Sequence, residues 1–187
     1  MITPDDTDFH PRDPKEWRWA ETQPIIFSVP EARILGNLYI TVRPTLGVAL
    51  STVGIAQGMC LTAQEMEFSD AQMHLPAPQN FRKFDLANGL SMEVLDAPRT
   101  YRMKYTYQGG DECSADLTFR GLHEPYDCMD PAMNPLLEKP EGHAYDSRLG
   151  DQWGNHGIGG DYPNGHYEMI GHITGELILR GRRYEVN

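Results

Sequence analysis

The chain has 187 residues, of which 40% are apolar and 10% aromatic, enough for one large all-β domain with a real core and too many for extended disorder. A formal charge of −11 excludes binding along a phosphate backbone, which needs clustered Lys and Arg. The one such cluster, Arg180, Arg182 and Arg183, flanks a turn. Cys60, Cys113 and Cys128 fit no metal-ligand spacing and read as thiols in a reducing compartment.

The first residues, Met1 to Asp8, are acidic and lack an apolar signal region. The longest mostly apolar stretch, Gly47 to Leu61, is interrupted by Ser51, Thr52, Gly54, Gln57 and Gly58, so no membrane span is expected. A cytoplasmic protein follows as the expectation. Residues 1–23 carry Pro4, Pro11 and Pro14 among charges, then Trp17 and Trp19, and read as an irregular arm whose tryptophans pack on the domain.

Strand signals then recur, each bounded by turn residues. They cover Pro24 to Val29, Ile34 to Arg43, Val48 to Gln57, Met59 to Phe68, Leu90 to Leu95, Tyr101 to Tyr107 and Cys113 to Leu122. Asp70 to Lys83, with Pro76 and Pro78, reads as a connection. In Tyr101 to Tyr107 the period of two is plainest. Tyr101, Met103, Tyr105 and Tyr107 share one face, and Arg102, Lys104 and Thr106 the other. This segment and Cys113 to Leu122, joined through Gln108-Gly109-Gly110-Asp111, predict a hairpin. A single helical turn near Pro131 to Leu137 is the best helix candidate.

The predicted fold is all-β and antiparallel over residues 24–165. It includes a long irregular loop at 124–165, rich in Pro and Gly, and loops of this length are usually functional lids or disordered. Residues 166–187 predict a long strand from His166, a tight turn at Arg180-Gly181, and the opening of another strand. A chain that stops inside a hairpin reads as part of a larger protein.

On that strand His166, Glu168 and His172 share one face, and Tyr167, Met169, Ile173, Leu177 and Leu179 share the apolar one. His166 and His172 lie roughly 20 Å apart on an extended strand, too far to share one ion, so no metal is expected. Only His166 with Glu168, helped by His156 or His143, stays within reach of one ion. Tyr167 either presents its phenol to a pocket as a donor or proton relay, or sits in the core bonded to backbone. The tyrosine face (Tyr101, Tyr105, Tyr107, with Phe119) serves as core, as a ligand cavity wall, or as both in a barrel.

The run Asp116-Leu117-Thr118-Phe119-Arg120-Gly121-Leu122-His123-Glu124-Pro125-Tyr126-Asp127 is followed later by Gly165-His166-Tyr167-Glu168-Met169-Ile170-Gly171-His172-Ile173-Thr174-Gly175-Glu176 and by Arg182-Arg183-Tyr184-Glu185-Val186. Together these resemble an uncharacterised bacterial family related to the hydroxyneurosporene synthase (carotenoid hydratase) group of tandem lipocalin-like proteins. The resemblance runs from about residue 17 onward and is sharpest at Gly165 to Val186, placing this chain in the N-terminal half.

It implies a lipocalin-like barrel or sandwich as the first part of a two-barrel protein, and binding, or cofactor-free hydration or isomerisation, of an apolar isoprenoid- or steroid-like molecule. Glu168, Tyr167 and His166 would be the catalytic set, with Trp153, Tyr101, Tyr105, Tyr107, Phe119 and Met169 lining the ligand. The family's strand after Tyr-Glu-Val leads to a segment with an Asp, an Arg or His, and a Trp-Gly pair; this chain ends before it, at Asn187. The alternatives are a non-catalytic lipid or terpenoid carrier, and a structural half-domain that pairs with a second copy or with a missing C-terminal half.

Overall fold

The structure, a computed structural model, describes residues 2–110, 112–127, 130, 132–133 and 167–187. Among these residues the chain forms strands and short 3₁₀ turns and no α-helix, so the fold is all-β, and every strand pair is antiparallel. In chain order the strands are β1 (Glu21–Val29), β2 (Ile34–Arg43), β3 (Val48–Gln57), β4 (Phe68–Pro76), β5 (Lys83–Asp85), β6 (Leu90–Asp96), β7 (Thr100–Thr106), β8 (Cys113–Gly121), β9 (Tyr126–Asp127), β10 (Tyr167–Glu168), β11 (Gly171–Leu179) and β12 (Arg182–Val186).

Strands β1 to β4 form one meander. A six-stranded sheet runs β12-β11-β8-β7-β6-β5, and β9 with β10 makes a short ribbon. The inner faces of the two large sheets share one core, with Leu38, Ile40, Val42, Ile55, Leu90, Met103, Leu117 and Leu177 all but sealed from water. Edge strands β1 and β12 come close together without joining in a hydrogen-bonded ladder.

The connections follow from local chemistry. Pro30 and Pro44 each open a 3₁₀ turn, for which the proline ring presets φ. Arg33 (φ 54°) and Gly47 (φ 68°) close those turns in the left-handed region. At Arg180-Gly181 two successive positive φ values, 48° and 75°, give the two-residue turn that matches the twist of a hairpin. Pro24 lies within β1, where an edge position tolerates its missing N–H.

Several expectations hold closely. β2 and β3 have the predicted limits, and β7 with β8 forms the predicted hairpin, Tyr107 N–H donating to Cys113 O at 2.9 Å. Tyr101, Met103 and Tyr105 all point inward. Other expectations are corrected. Met59 to Glu67 is not a strand but a connection with one 3₁₀ turn, and the strand is Phe68–Pro76, which had been read as a loop. On this sheet edge only Phe68 and Asp70 are buried, Leu75 packs on the core from its margin, and a bulge opposite Leu50 breaks the period, so the strand lacks an apolar alternation to read.

The strand expected from His166 onward is interrupted at Met169 and Ile170, which divide β10 from β11. β11 sits between β8 and β12, so β11 and β12 both belong to the six-stranded sheet. Of the arm's tryptophans Trp19 is buried and Trp17 exposed. The helical turn expected at Pro131 to Leu137 lies for the most part outside the described residues.

Candidate functional site

The two ends of β7 carry different polar clusters. At its C-terminal end, Tyr105 points inward and donates from its hydroxyl to Asp70 Oδ2 at 2.9 Å. Asp70 is the third residue of β4, and the inward turn of that edge strand carries its carboxyl between the sheets. Asn88, from the tight β5–β6 turn, donates through Nδ2 to Ser51 Oγ at 3.0 Å and to Asp70 Oδ2 at 3.4 Å. Gln72 Nε2 donates to Asp70 Oδ1 at 2.7 Å. Asp70 and Asn88 are each only 8% exposed, and Ser51 and Tyr105 are sealed.

Asp70 therefore holds an acidic group in the interior against three neutral donors, and among the described residues it makes no ion pair. Burying such a group costs free energy unless its oxygens are fully bonded, which explains the density of donors around it. Burial, together with the bond to Asp70, pushes the Tyr105 phenol well above its ordinary range, so it remains a neutral donor.

This network opens on a pocket of about 340 Å³ lined by Asp70, Gln72, Leu75, Ala87, Asn88, Tyr107, Gln108 and Gly109. The volume lies in the range of small-molecule sites. The walls come from β4 and from the β5–β6 and β7–β8 turns, and Gly89, at φ 90°, presses so close to Thr106 O that any side chain there would collide with it. Tyr107, half-buried, stands edge-on to Phe68, with ring centres 5.2 Å apart.

At the other end of β7, Tyr101 donates to Pro98 O at 2.6 Å, and its oxygen lies 3.2 Å from the Tyr167 hydroxyl. Tyr101 has one proton and Pro98 O takes it, so Tyr167 is the donor within the pair. Burial raises both phenols, and the carboxylates of Asp6 and Glu21 raise Tyr167 further. Phe119 packs on Tyr101 at 6.2 Å and across Gly171, while Met169 packs on Gly121.

The N-terminal arm closes this end. Glu21 accepts from Trp19 Nε1 at 2.9 Å and from the His10 backbone N–H at 3.0 Å, and its carboxylate lies 3.1 Å from His10 Nδ1. Phe9 rests on Phe81, ring centres 5.2 Å apart. The hydrogen bond to Glu21 raises the His10 pKa, as do the charges of Glu21 and Asp6, against the opposing effect of burial.

The expected site residues therefore separate. Tyr101, Tyr167, Phe119 and Met169 gather at one end, and Tyr105 and Tyr107 at the other. Four residue steps along the strand, roughly 13 Å, separate Tyr101 from Tyr105. Tyr101 and Tyr105 are core residues that reach polar clusters with their hydroxyls rather than walls of an open cavity. Glu168 is exposed on β10, in register with Tyr126, and lacks the burial that an acid inside an apolar pocket requires. His166 and Trp153 lie outside the described residues. Among the described residues no group of three His, Cys, Asp or Glu side chains is placed to hold a metal.

Sequence reasoning missed Asp70, Asn88, Ser51 and the arm's His10–Glu21 pair. Asn88-Gly89 was legible as a turn, but only the fold shows the asparagine's amide directed inward.

The chain matches the family described as a domain of unknown function, DUF7064, over residues 3–187, and it belongs to that family. The match includes the arm that closes the Tyr101 end. No curated protein and no solved structure matches the chain.

Proposed function

We propose that this domain binds an apolar-bodied small molecule in the Asp70 pocket and converts it there by proton transfer, without a cofactor. One observation carries the reading: an interior carboxyl group, held by Tyr105, Asn88 and Gln72, lines a pocket with Tyr107, Leu75 and Ala87 on its walls. Asp70 is the proton carrier, taking a proton from one position of the substrate and returning it to another, or giving it to a double bond and taking one back from the water that adds. Tyr107, Leu75 and Ala87 hold the apolar body. The resemblance noted in the sequence supports an isoprenoid- or steroid-like ligand and hydratase or isomerase chemistry in a cytoplasmic setting, now with Asp70 in the place expected of Glu168. No helix among the described residues is long and apolar enough to cross a membrane.

The test is incubation with isoprenoid and steroid alkenes in heavy water, read by mass spectrometry. Proton transfer at the site incorporates deuterium into the ligand, or adds water to it. Asp70→Asn, close in shape, is expected to lower the rate by about 10²–10⁴ while the ligand still binds. A wild-type protein that retains ligand without exchange supports the carrier reading instead. Equal rates in both proteins would remove Asp70 as the proton carrier.

A further inference from the structure

We propose that the outward face of the four-stranded sheet is the surface on which two copies of this chain associate. The outward positions are the even residues of β1 from 22 to 28, the odd residues of β2 from 35 to 43, and the even residues of β3 from 48 to 56. Ser69 and Ala71 add the β4 edge. Arg43 is the one charged residue among them, and it sits at the sheet's end, with its guanidinium directed at Arg18 O.

In a chain of formal charge −11, so wide a stretch without acidic residues is the place where two copies approach without repelling each other. Ile26 is 61% exposed and Leu35 56%, and they lie diagonally across the β1–β2 pair. Met66 continues the apolar surface, its methyl group filling the space above Gly54 that a side chain would occupy. The remaining outward residues are small or neutral, with Thr22, Ser28, Asn37, Thr41, Thr52 and Ser69 among them, and two antiparallel sheets can pack such uncharged faces about 10 Å apart.

The dimensions are sufficient. Four strands spaced about 4.8 Å apart, with nine residues rising about 3.3 Å each, cover roughly 570 Å² per copy and roughly 1,100 Å² in a pair. That area is at the lower end of specific interfaces, so a reversible dimer is expected rather than a permanent one. The contact is isologous: Leu35 and Tyr39 of each copy lie on the same patch of the other.

The test is sedimentation velocity of the full chain from about 1 to 100 μM, with wild type, Leu35→Glu, Tyr39→Glu and, on the opposite sheet, Thr118→Glu. The wild type and Thr118→Glu are expected to dimerise alike, and the two face variants to dimerise at least 30-fold more weakly. Circular dichroism confirms that each variant is folded, which the exposure of Leu35 permits. High salt is expected to leave the wild-type dimer intact or strengthen it, since no charges cross the contact. A wild type that is monomeric at 100 μM would overturn the proposal, as would a dimer that both face variants leave unchanged. Flotation of a monomeric wild type with phosphatidylcholine vesicles would assign the face to a membrane instead.

Discussion

The two large sheets alternate inward and outward in the same way, yet their outward faces are opposites. On the six-stranded sheet, outward positions carry a lattice of charges: Lys83 with Glu93 at 2.8 Å, Arg102 doubly bonded to Asp116 at 2.8 and 2.7 Å, Lys104 with Asp116 at 3.2 Å, and Arg183 with Glu176. On the four-stranded sheet the corresponding positions are neutral apart from Arg43. The alternation of apolar residues tells which side of a strand faces the core. The chemistry of the other side tells whether that side was shaped for water. One face here is laced with ion pairs and the other is almost free of charge, and a count of apolar residues alone would not separate them.

The comparison breaks first at the backbone. Gly175 adopts φ 145°, and a side chain there would run into the Asp116 carbonyl oxygen, so the β8–β11 pairing beneath the charged face depends on this glycine. Gly175→Val is expected to cost about 3 kcal/mol or more, or to prevent folding, as urea denaturation or its failure will show. A stable Gly175→Val protein would mean that the strand pair adapts and that the charged face is not fixed from below.

Next in size is the interior. Tyr105→Phe removes the shortest bond to Asp70 Oδ2 and leaves a buried carboxyl group short of one donor. A loss of about 1.5–3 kcal/mol in urea unfolding is expected, together with slower turnover at the Asp70 pocket. By contrast, Arg102→Met on the charged face is expected to change stability by less than about 1 kcal/mol, because exposed ion pairs contribute little and Lys104 still reaches Asp116. If Arg102→Met proves the more damaging of the two, the charged lattice has a structural role that its exposure does not indicate.

The smallest effect is at the arm. His10 has a raised pKa in the folded protein, so its contacts with Glu21 and Asp6 favour the protonated ring. Their contribution is full below the pKa of a free histidine, about 6.5, and is lost as pH rises through the raised value. Limited proteolysis of the arm is therefore expected to quicken between pH 6 and pH 9 in the wild type. His10→Gln should remove that pH dependence; a profile unchanged by the substitution would assign it to other groups.

How much of this was legible in the sequence follows from the same contrast. β2, β3 and the β7–β8 hairpin were readable because turn residues bracket them: Pro30 and Pro44 on one side, the glycines after Tyr107 on the other. β7 was clearest because its two faces differ most, tyrosines inward and Arg102 and Lys104 outward. β4 escaped because this sheet edge buries only two residues and a bulge shifts the third inward one, Leu75, out of period; one of the buried two is Asp70, a residue whose type points outward. The site escaped for the same reason. Its carboxyl, amide and hydroxyl groups come from four separate elements, and nothing in their spacing along the chain foretells that Asp70, Asn88, Ser51 and Tyr105 meet. The Tyr101–Tyr167 contact was half legible: both tyrosines stood out as inward-facing, and the break at Met169 and Ile170, which sets the register of β11, did not.

The most direct test of the Asp70 pocket is an NMR titration of the isotope-labelled chain with geraniol, a small isoprenoid alcohol, in wild type and Asp70→Asn. The account predicts shifts concentrated at the Asn88 and Gln72 side-chain amides and at the backbone of Gln108 and Gly109, altered in the variant. Shifts confined to the Tyr101–Tyr167 end, or none at all while the ligand binds elsewhere, would contradict it.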